Sequence, residues 1–338
     1  MPTAMENAAE HGSVSRKDTL SENKLLGRVG LIGLGNVGMH YADHLLKASR
    51  EVVVFDKDDS KTSRAIDKGA RKATSSRELA EECDTIVLAL PSPPAVENEM
   101  LGTDGILNAA RKGSLIIDIS TIDPDTSKSL YKMAKDCGFY YLEAPMSGGE
   151  PGGAGQRGAK SGTITFMVGG DEESFERARP ILNVLGSHAF FLGPAGTGNT
   201  VKLVSNLIAG LNMAAMAEGF VLGAAAGISH EKLLEVFRHT DAKSYTMFEE
   251  FAPDLCANDY EGGFPVDLMH KDHRLAGELG RKLGVPLLFN QLAQEVYQIV
   301  KAKGYGRLSH AVVVEVLASI ADVELFNKKR RDEKSRCE

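Results

Sequence analysis

The stretch RVGLIGLGNVGMHYADHLLKASREVVVFDKD, residues 28–58, decides the fold of the first half of the chain. An apolar run leads into Gly33-x-Gly35-x-x-Gly38, a helical pattern follows, and a second apolar run ends at Asp56. Glycines at this spacing permit a tight turn, close approach of a pyrophosphate and close helix–strand contact. The order of strand, glycine turn, helix, strand and acid predicts a dinucleotide-binding unit; a purely structural glycine turn is the alternative.

The acid that ends the second run bears on the choice of dinucleotide. Asp56 lies 23 residues after Gly33, where a carboxylate can hold a ribose 2′-hydroxyl and would repel a 2′-phosphate, so we expect NAD. Lys57, Lys61 and Arg64 follow closely and could attract a phosphate, which keeps NADP open. The residues expected at the dinucleotide in this stretch are Gly33, Leu34, Gly35, Asn36, Val37, Gly38 and Asp56.

The pattern of residues 28–193 continues as short β-branched runs that alternate with helical stretches. The runs are RVGLIG, EVVVFD, TIVLALP, SLIIDIS, FYYLEAP, TITFMVGG and HAFFLG. Such alternation predicts crossover units and a mainly parallel sheet. Strand patterns stop after residue 193, and the rest of the chain reads as helices, the longest from about residue 200 to 226. We therefore expect an α/β fold, a Rossmann-type domain over 28–193, followed by an all-α domain over 194–326, with tails at 1–27 and 327–338.

Composition excludes several classes of function. The 338 residues carry a formal net charge of -7, which argues against a general nucleic-acid binder. The four cysteines are widely spaced, which fits a reducing compartment and no metal site. Residues 1–27 lack the apolar core of a secretory signal and contain acids that an organellar transit peptide avoids, so we expect a cytoplasmic protein. The C-terminal KKRRDEKSRCE mixes charges; a solvated tail is favoured over a nuclear signal.

Four stretches in a fixed order carry a resemblance to a known family: GLIGLGNVG, DISTIDP, EAPMSGG…GTIT and GTGNTVKLVSN, with DLMHKD as a fifth. The chain resembles the β-hydroxyacid dehydrogenases, the group of 3-hydroxyisobutyrate dehydrogenase, over about residues 28 to 325. The resemblance implies a Rossmann-type domain, a helical domain and a long helix that bridges them. It also implies hydride transfer between NAD(P) and a small hydroxy acid.

The resemblance makes Lys202 the catalytic residue. From residue 201 to 228 the charged residues are Lys202 and Glu218 alone, in a segment that otherwise favours burial. A partly desolvated lysine has a lowered pKa and can exchange a proton with an alcohol near neutral pH; a lysine that reaches solvent from a helix end is the alternative. Asn206 is four residues beyond Lys202 and lies on the same helix face. Its amide either fixes the position of the lysine or the substrate, or, as a structural alternative, bonds a loop carbonyl. The apolar segment is interrupted by Asn206, Asn212 and Glu218, so a buried helix is expected rather than a membrane span.

Small hydroxyl residues follow the strand in SLIIDIS, at the strand end where open α/β sheets bind ligands. The resemblance places Ser120 at the substrate and Thr121 at the cofactor; helix capping by Thr121 or Asp123 is the alternative. It also places Leu90 and Pro91, at the end of LALP, against the cofactor. The alternative is a strand that simply ends at a proline, which needs no ligand.

The remaining predicted contacts come from two motifs. The resemblance assigns the substrate carboxylate to Ser147, Gly148 and Gly149, whose backbone N–H groups are unobstructed; a bare turn is the alternative. DLMHKD places Lys271 near the cofactor and Asp272 near the substrate, unless both lie on a solvated helix face. After SGG comes EPGGAGQRGAKS, residues 150–161, a segment that looks longer than is usual for the family. It adds Arg157 and Lys160. It is either a flap that alters substrate choice or a surface bulge.

We therefore expect an NAD-dependent oxidoreductase that interconverts a small β-hydroxy acid and its semialdehyde or keto acid. An NADPH-dependent semialdehyde reductase and a non-catalytic dinucleotide-binding interaction module are the alternatives, and an imine reductase is disfavoured by Lys202. No metal, nucleic acid or membrane partner is expected. The apolar surface of the long helix predicts a homodimer or homotetramer.

Overall fold

The structure is a computed structural model, and it describes residues 26–148 and 156–325. Of the predicted tails, 1–27 and 327–338, residues 1–25 and 327–338 lie outside the described residues, as do Gly149 and the first part of the 150–161 segment, whereas Leu26 and Gly27 belong to the first strand. The chain forms two compact units, Met1–Leu203 and Val204–Glu338. The boundary between the units therefore falls within one long helix, and each unit is described by itself.

The first unit is built on a six-stranded sheet in the order β3-β2-β1-β4-β5-β6, in which every pairing is parallel. Its strands are β1 (Leu26–Ile32), β2 (Ser49–Phe55), β3 (Arg71–Lys72), β4 (Thr85–Leu88), β5 (Leu115–Asp118) and β6 (Tyr140–Glu143). The helices of this unit are α1 (Gly38–Ala48), α2 (Asp59–Ile66), α3 (Ser76–Glu82), α4 (Pro93–Leu101), α5 (Pro124–Asp136), α6 (Gln156–Ser161) and α7 (Glu172–Leu185), with a 3₁₀ turn at Ile106–Asn108. The strand order confirms the predicted Rossmann-type arrangement.

Alternate residues of each strand enter two separate cores, one on each face of the sheet. Leu31 and its same-face neighbours pack with α1 and α7, whereas Ile32 and its neighbours pack with α3, α4 and α5. Helices on both faces leave no solvent-facing side, which explains why the strand sequences are continuous apolar runs rather than alternating ones.

The last strand patterns form a second sheet, which the sequence analysis did not separate from the first. β7 (Met146–Ser147) pairs antiparallel with β8 (Ile164–Val168), and β8 pairs parallel with β9 (Gly186–Phe191). The antiparallel pairing extends back to the end of β6, where an isolated bridge joins Glu143 to Gly169. The strands are therefore mainly parallel, as predicted, but they are divided between two sheets.

The second unit is helical. Its helices are the later part of α8 (Thr197–Ala225), then α9 (His230–Phe237), α10 (Ala252–Ala257), α11 (Val266–Leu283), α12 (Leu288–Ala302) and α13 (Val313–Ile320). A π-helical turn at Met247–Phe251 runs into α10, and neither was predicted. α12 begins two residues after Pro286. One apolar core holds the unit together, centred on Phe220, Phe251 and Tyr297.

The helix α8 is long and apolar enough, by length and composition, to cross a membrane, with a mean hydropathy of 1.5 in its most apolar window. Core helices of soluble proteins pass the same test, so one such helix is weak evidence of a span. Met213, Ala217 and Phe220 belong to the core of the second unit, so part of this apolar surface is covered within the chain.

Candidate functional site

The glycine loop after β1 has the geometry that its spacing predicts. Gly33 has φ of +95°, and a Cβ there would collide with the carbonyl oxygen of Ala89, while a Cβ at Gly38 would collide with the carbonyl of Gly33. A Cβ at Gly35, in contrast, would meet nothing within 4 Å. Two of the glycines are thus required by the turn itself, and the third leaves open space beside the backbone, as a bound pyrophosphate needs.

Asp56 lies at the end of β2 and connects directly to this loop. Its carboxylate accepts the backbone N–H of Leu34 at 2.7 Å and that of Asp58 at 2.8 Å. Each carboxylate oxygen keeps a lone pair for a further donor. The acid is therefore held beside the glycine loop in a position to accept hydrogen bonds from a ribose hydroxyl.

Two predicted contact residues from different strands meet at the next strand ends. The hydroxyl of Ser120, after β5, accepts the backbone N–H of Leu90, after β4, at 2.9 Å. Ser120 is buried, Leu90 and Thr121 are half-buried, and Pro91 is exposed. The N–H of Ser120 donates in turn to Asp118 at 2.9 Å. The two loops are thereby fixed to each other at the ends of β4 and β5. This junction is next to the point between β1 and β4 where the strand order reverses, which is where such sheets bind ligands.

Asp118, the last residue of β5, stabilises this junction through its bond to Ser120, and it was not among the predicted site residues. It is fully buried and also accepts the hydroxyl of Tyr141 at 3.1 Å. Burial raises the pKa of Asp118 to about 6, while its hydrogen bonds to Ser120 and Tyr141 oppose the shift. The capping question is also answered, because Asp123 accepts the N–H of Thr126 and caps α5.

The predicted carboxylate site is only partly described. Ser147 pairs with Thr165 in the small sheet, Gly148 has φ of +53°, and Gly149 lies outside the described residues. In the segment 150–161, residues 156–161 form α6, which packs on α1 through a 2.9 Å contact between His44 Nε2 and the carbonyl of Ala159. The second half of that segment is thus a helix, with Arg157 half-buried and Lys160 exposed.

Lys202 lies in the second turn of α8 and is 5% exposed. The start of this helix is held by Glu143, which is the last residue of β6 and is fully buried. Its Oε1 accepts the N–H groups of Gly196 at 2.7 Å and Gly198 at 2.8 Å. A carboxylate here satisfies N–H groups that a helix start leaves without partners and complements the helix dipole.

Asn199 connects the same helix start to the loop that carries Ser120. Its Oδ1 accepts the N–H of Ile122 at 3.0 Å. Its Nδ2 lies 3.0 Å from Oε2 of Glu143 and 2.8 Å from the hydroxyl of Ser127. Lys202, three residues later, is therefore fixed relative to the loop after β5. The sequence analysis missed Asn199 and gave no role to Glu143, although the asparagine stands within the GTGNTVK motif.

In the second unit the structure brings together Asn206 and Asp272, two of the predicted residues. Asn206 Nδ2 donates to Asp272 Oδ2 at 2.6 Å, and both side chains are buried. Lys271 Nζ lies 3.1 Å from Asp272 Oδ1. These residues do not form the solvated helix face that was the alternative for DLMHKD.

The second unit also has a cleft of about 470 Å³ with an apolar floor that includes Met216, Phe220 and Phe237. None of the predicted site residues lines it. Across residues 26–148 and 156–325, no group of three or more His, Cys, Asp or Glu side chains is arranged to hold a metal ion.

Comparison with protein families accounts for both units. Residues 28–193 match the NAD binding domain of 6-phosphogluconate dehydrogenase. Residues 196–317 match the NAD-binding domain of NADP-dependent 3-hydroxyisobutyrate dehydrogenase. The chain belongs to the 3-hydroxyisobutyrate dehydrogenase-like family of β-hydroxyacid dehydrogenases. It is an oxidoreductase that binds NAD, with NADP as the alternative cofactor.

Individual relatives of this dehydrogenase differ in their substrates. It is 35% identical to 2-(hydroxymethyl)glutarate dehydrogenase of Eubacterium barkeri over 298 residues, 88% of this chain and 97% of that protein. It is 34% identical to human mitochondrial 3-hydroxyisobutyrate dehydrogenase over 296 residues, 86% of each chain. It is 33% identical to the NAD-dependent L-serine dehydrogenase of Pseudomonas aeruginosa over 294 residues, 85% of this chain and 96% of that protein.

Solved structures agree with the fold. That of Mycobacterium tuberculosis 3-hydroxyisobutyrate dehydrogenase with L-serine has a TM-score of 0.77 at 30% identity, covering 87% of this chain and 99% of that one. An imine reductase from Bacillus cereus has a TM-score of 0.55 at 19% identity, covering 86% of this chain and 99% of that one, which shows a common fold only.

The role of Glu143 leads to a test of stability. In the Glu143→Gln variant, one oxygen can still accept the N–H groups at the start of α8, but the new amide NH₂ faces the donor Nδ2 of Asn199. We expect a loss of about 2 to 3 kcal/mol in the free energy of unfolding, because a buried charged acceptor is replaced by a mismatched donor. Thermal unfolding followed by circular dichroism should show a midpoint lower by roughly 4 to 8 °C.

The matched control is Glu173→Gln, which changes an exposed carboxylate that accepts the hydroxyl of Tyr140 at 2.7 Å. This variant should unfold close to the parent. Equal midpoints for the Glu143 and Glu173 variants would show that Glu143 does not stabilise the start of α8.

Proposed function

We propose that this dehydrogenase interconverts a small β-hydroxy acid and its semialdehyde or keto acid, with Lys202 as the general acid/base. The observation that carries the proposal is the placement of Lys202. It is an almost fully buried lysine, in a helix whose first turn is tied by Asn199 to the loop of Ser120. An amine shielded from water can take the hydroxyl proton during oxidation and return it during reduction.

The described residues fit the cofactor. Open space beside Gly35 and the adjacent carboxylate of Asp56 would hold the pyrophosphate and a ribose hydroxyl. Leu34, Asn36 and Val37 of the same loop, with Leu90, Pro91, Thr121 and Lys271, are the further contacts that we propose for the dinucleotide. When bound, the nicotinamide accepts or donates the hydride.

The surroundings of Asp56 favour NAD over NADP. Lys57 lies 2.9 Å from the buried carboxylate of Glu99, and Lys61 lies within 4 Å of both Asp56 and Asp58. These cations are already neutralised by acids, so they offer a 2′-phosphate less attraction than the sequence implies. A NADPH-dependent semialdehyde reductase, which needs the opposite preference, is the less favoured form of the same chemistry.

On the substrate side, we propose that Ser120 and the backbone N–H groups of Ser147, Gly148 and Gly149 hold the carboxylate. Asn206 holds the substrate hydroxyl or the amine of Lys202, since it lies one helical turn further along α8. The bond from Asn206 to Asp272 uses one N–H of the side-chain amide and fixes the orientation of that amide on its helix.

We further propose that the protein forms a homodimer or homotetramer through apolar helix faces. On α12, Leu288, Phe289 and Leu292 are 65 to 72% exposed, and Val204 and Ile208 of α8 are about half exposed. Patches of this kind on adjacent turns mark association surfaces more often than single exposed residues do.

A cytoplasmic location stays a prediction, since relatives include mitochondrial enzymes, and fractionation of the source cells decides it.

The Lys202→Ala variant tests the mechanism. We expect kcat/KM for the hydroxy acid to fall about 10³-fold, because loss of a general acid/base typically removes 10² to 10⁴ of rate. Binding of NAD, measured by fluorescence titration, should be retained. Lys202→Arg should be equally inactive, because a guanidinium keeps the charge but cannot release a proton.

The control is Lys132→Ala, which removes an exposed lysine of α5 and should leave turnover unchanged. Turnover that survives in Lys202→Ala would exclude this lysine as the proton acceptor. Turnover that survives only in Lys202→Arg would reduce its role to charge stabilisation.

The Asp56→Asn variant tests cofactor choice. Asparagine can still accept the N–H of Leu34, but it no longer repels a 2′-phosphate. We expect the ratio of kcat/KM with NADP to that with NAD to rise by about tenfold, equivalent to ~1.4 kcal/mol. Asp67→Asn is the matched control, because it removes an exposed carboxylate at the C-terminal end of α2 and should leave the ratio unchanged. An unchanged ratio in Asp56→Asn would show that this acid does not select the cofactor.

Light scattering tests the assembly. We expect a mass of two or four chains, and a shift to one chain when Phe289 and Leu292 are both replaced by Asp, because charges in an apolar interface are costly. Ile66→Asp, at a single exposed apolar residue of α2, should leave the mass unchanged. A single-chain mass for the parent protein would contradict the proposed assembly.

A further inference from the structure

His273 is a buried group for which the proposed chemistry has no use. It follows Asp272 directly on α11 and is fully buried in the second unit. Asn290, at the start of α12, holds it twice: Asn290 Nδ2 donates to the carbonyl oxygen of His273 at 3.0 Å, and Asn290 Oδ1 lies 2.7 Å from His273 Nδ1. The ring is thus fixed in position by a buried amide.

These two bonds determine which ring nitrogen carries the proton. Because Nδ2 of Asn290 must be the group that faces a carbonyl, its Oδ1 is the group that faces the ring. An amide oxygen only accepts, so Nδ1 of His273 is the donor. In the neutral ring the lone pair is then on Nε2, which is buried and has no hydrogen-bond partner among the described residues.

Nε2 of His273 points at the backbone of α8. A Cβ built on Gly210 would collide with this nitrogen. Glycine in the interior of a helix costs about 1 kcal/mol relative to alanine, so its presence needs a reason, and the ring supplies one. The carbonyl of Gly210 also accepts the hydroxyl of Tyr297 from α12 at 2.9 Å, and the rings of Tyr297 and His273 lie 5.4 Å apart.

The contact lies one helical turn from a proposed active-site residue. Gly210 is four residues beyond Asn206 on α8, and His273 is one residue beyond Asp272 on α11. Asn206 and Asp272 are the pair joined at 2.6 Å. A contact that sets the position of α11 along α8 at Gly210 therefore also determines whether the amide of Asn206 and the carboxylate of Asp272 meet.

We propose that His273 is a positioning residue: its neutral ring, held by Asn290 and seated against Gly210, sets the register of α11 on α8. In that register Asp272 orients the amide of Asn206 for the reaction at Lys202. The inference rests on the proposed function, since Asn206 matters here only as a partner of substrate or lysine. The contacts themselves involve only residues of the second unit.

The electrostatics agree with a neutral ring. Burial lowers the pKa of His273, and the charges of His310 and His270 act in the same direction, whereas the bond to Asn290 and the charge of Asp272 oppose them. A second proton would have to sit on Nε2, against Gly210, where the described residues offer no acceptor. The ring therefore acts as a fixed wedge rather than as a proton carrier.

A double-variant cycle tests the proposal. His273→Ala removes the ring that contacts Gly210, and Gly210→Ala displaces the ring from that contact. Each variant alone should lower kcat by about tenfold, as small displacements of catalytic groups do. KM for NAD should not change. In Gly210→Ala/His273→Ala the new methyl group occupies the space that the ring leaves, and kcat should return most of the way to the parent value.

His310→Ala is the matched control. His310 is equally buried and its ring lies 6.4 Å from that of Tyr297, but it bonds Glu250 at 3.0 Å and not Asn290. This variant should lower the unfolding temperature as His273→Ala does while leaving kcat unchanged. A purely structural role for His273 would instead give the same kcat for both variants, or additive losses in the double variant, and either result overturns the proposal.

Nitrogen NMR of the histidine rings separates this inference from the proposed function. In ¹⁵N-histidine-labelled protein, the signals lost in His273→Ala should be those of a neutral ring protonated at Nδ1. A ring protonated at Nε2 would contradict the seating described here, whatever the enzyme's activity. Turnover that survives in Lys202→Ala would instead overturn the proposed function and leave the ring assignment intact.

Discussion

The buried carboxylate of Glu143 is the interaction on which the placement of Lys202, the proposed catalytic residue, depends. It lies where the last strand of the parallel sheet ends and accepts the N–H groups with which α8 begins. A buried carboxylate is costly unless its oxygens are well supplied with donors. Here Gly196, Gly198 and Asn199 all supply one, so the charge that burial penalises is the same charge that the helix start requires.

This constraint turns the end of the sheet into a connected frame. Parallel strands place their carboxyl ends at one edge, and the loops after β1, β4 and β5 all emerge there. Ser120 joins the loops after β4 and β5 through the N–H of Leu90, and Asn199 joins the loop after β5 to the start of α8 through the N–H of Ile122. Ser120 and the start of the helix that carries Lys202 are thereby held by bonds between backbone N–H groups and buried side chains, and such fixed positions favour a reaction that depends on geometry.

The parts of this frame that the sequence predicts are those encoded locally. Gly33, Gly35, Gly38 and Asp56 lie within one βαβ unit, and spacing alone indicates their arrangement. Glu143 and Asn199 are separated by 56 residues, and no local pattern shows that they meet. The division of the strands into two sheets was missed for a related reason. β8 and β9 read as further strands of the parallel sheet, and β7, which pairs antiparallel with β8, is not in any predicted run. Nor do helical patterns indicate that Asn290 would bond to His273, since side-chain pairing between helices depends on register.

Register is what the polar pairs of the second unit contribute. Its apolar core, around Phe220, Phe251 and Tyr297, would tolerate small sliding of one helix along another, because apolar contacts are not directional. The bonds from Asn206 to Asp272 and from Asn290 to His273 do not tolerate it, since a shift would leave buried polar groups without partners. A dehydrogenase that needs one amide held on one helix face gains more from such pairs than from an equal volume of apolar side chains. Gly210 in α8 is consistent with this, because it gives up helix stability at a position where the ring of His273 approaches the backbone.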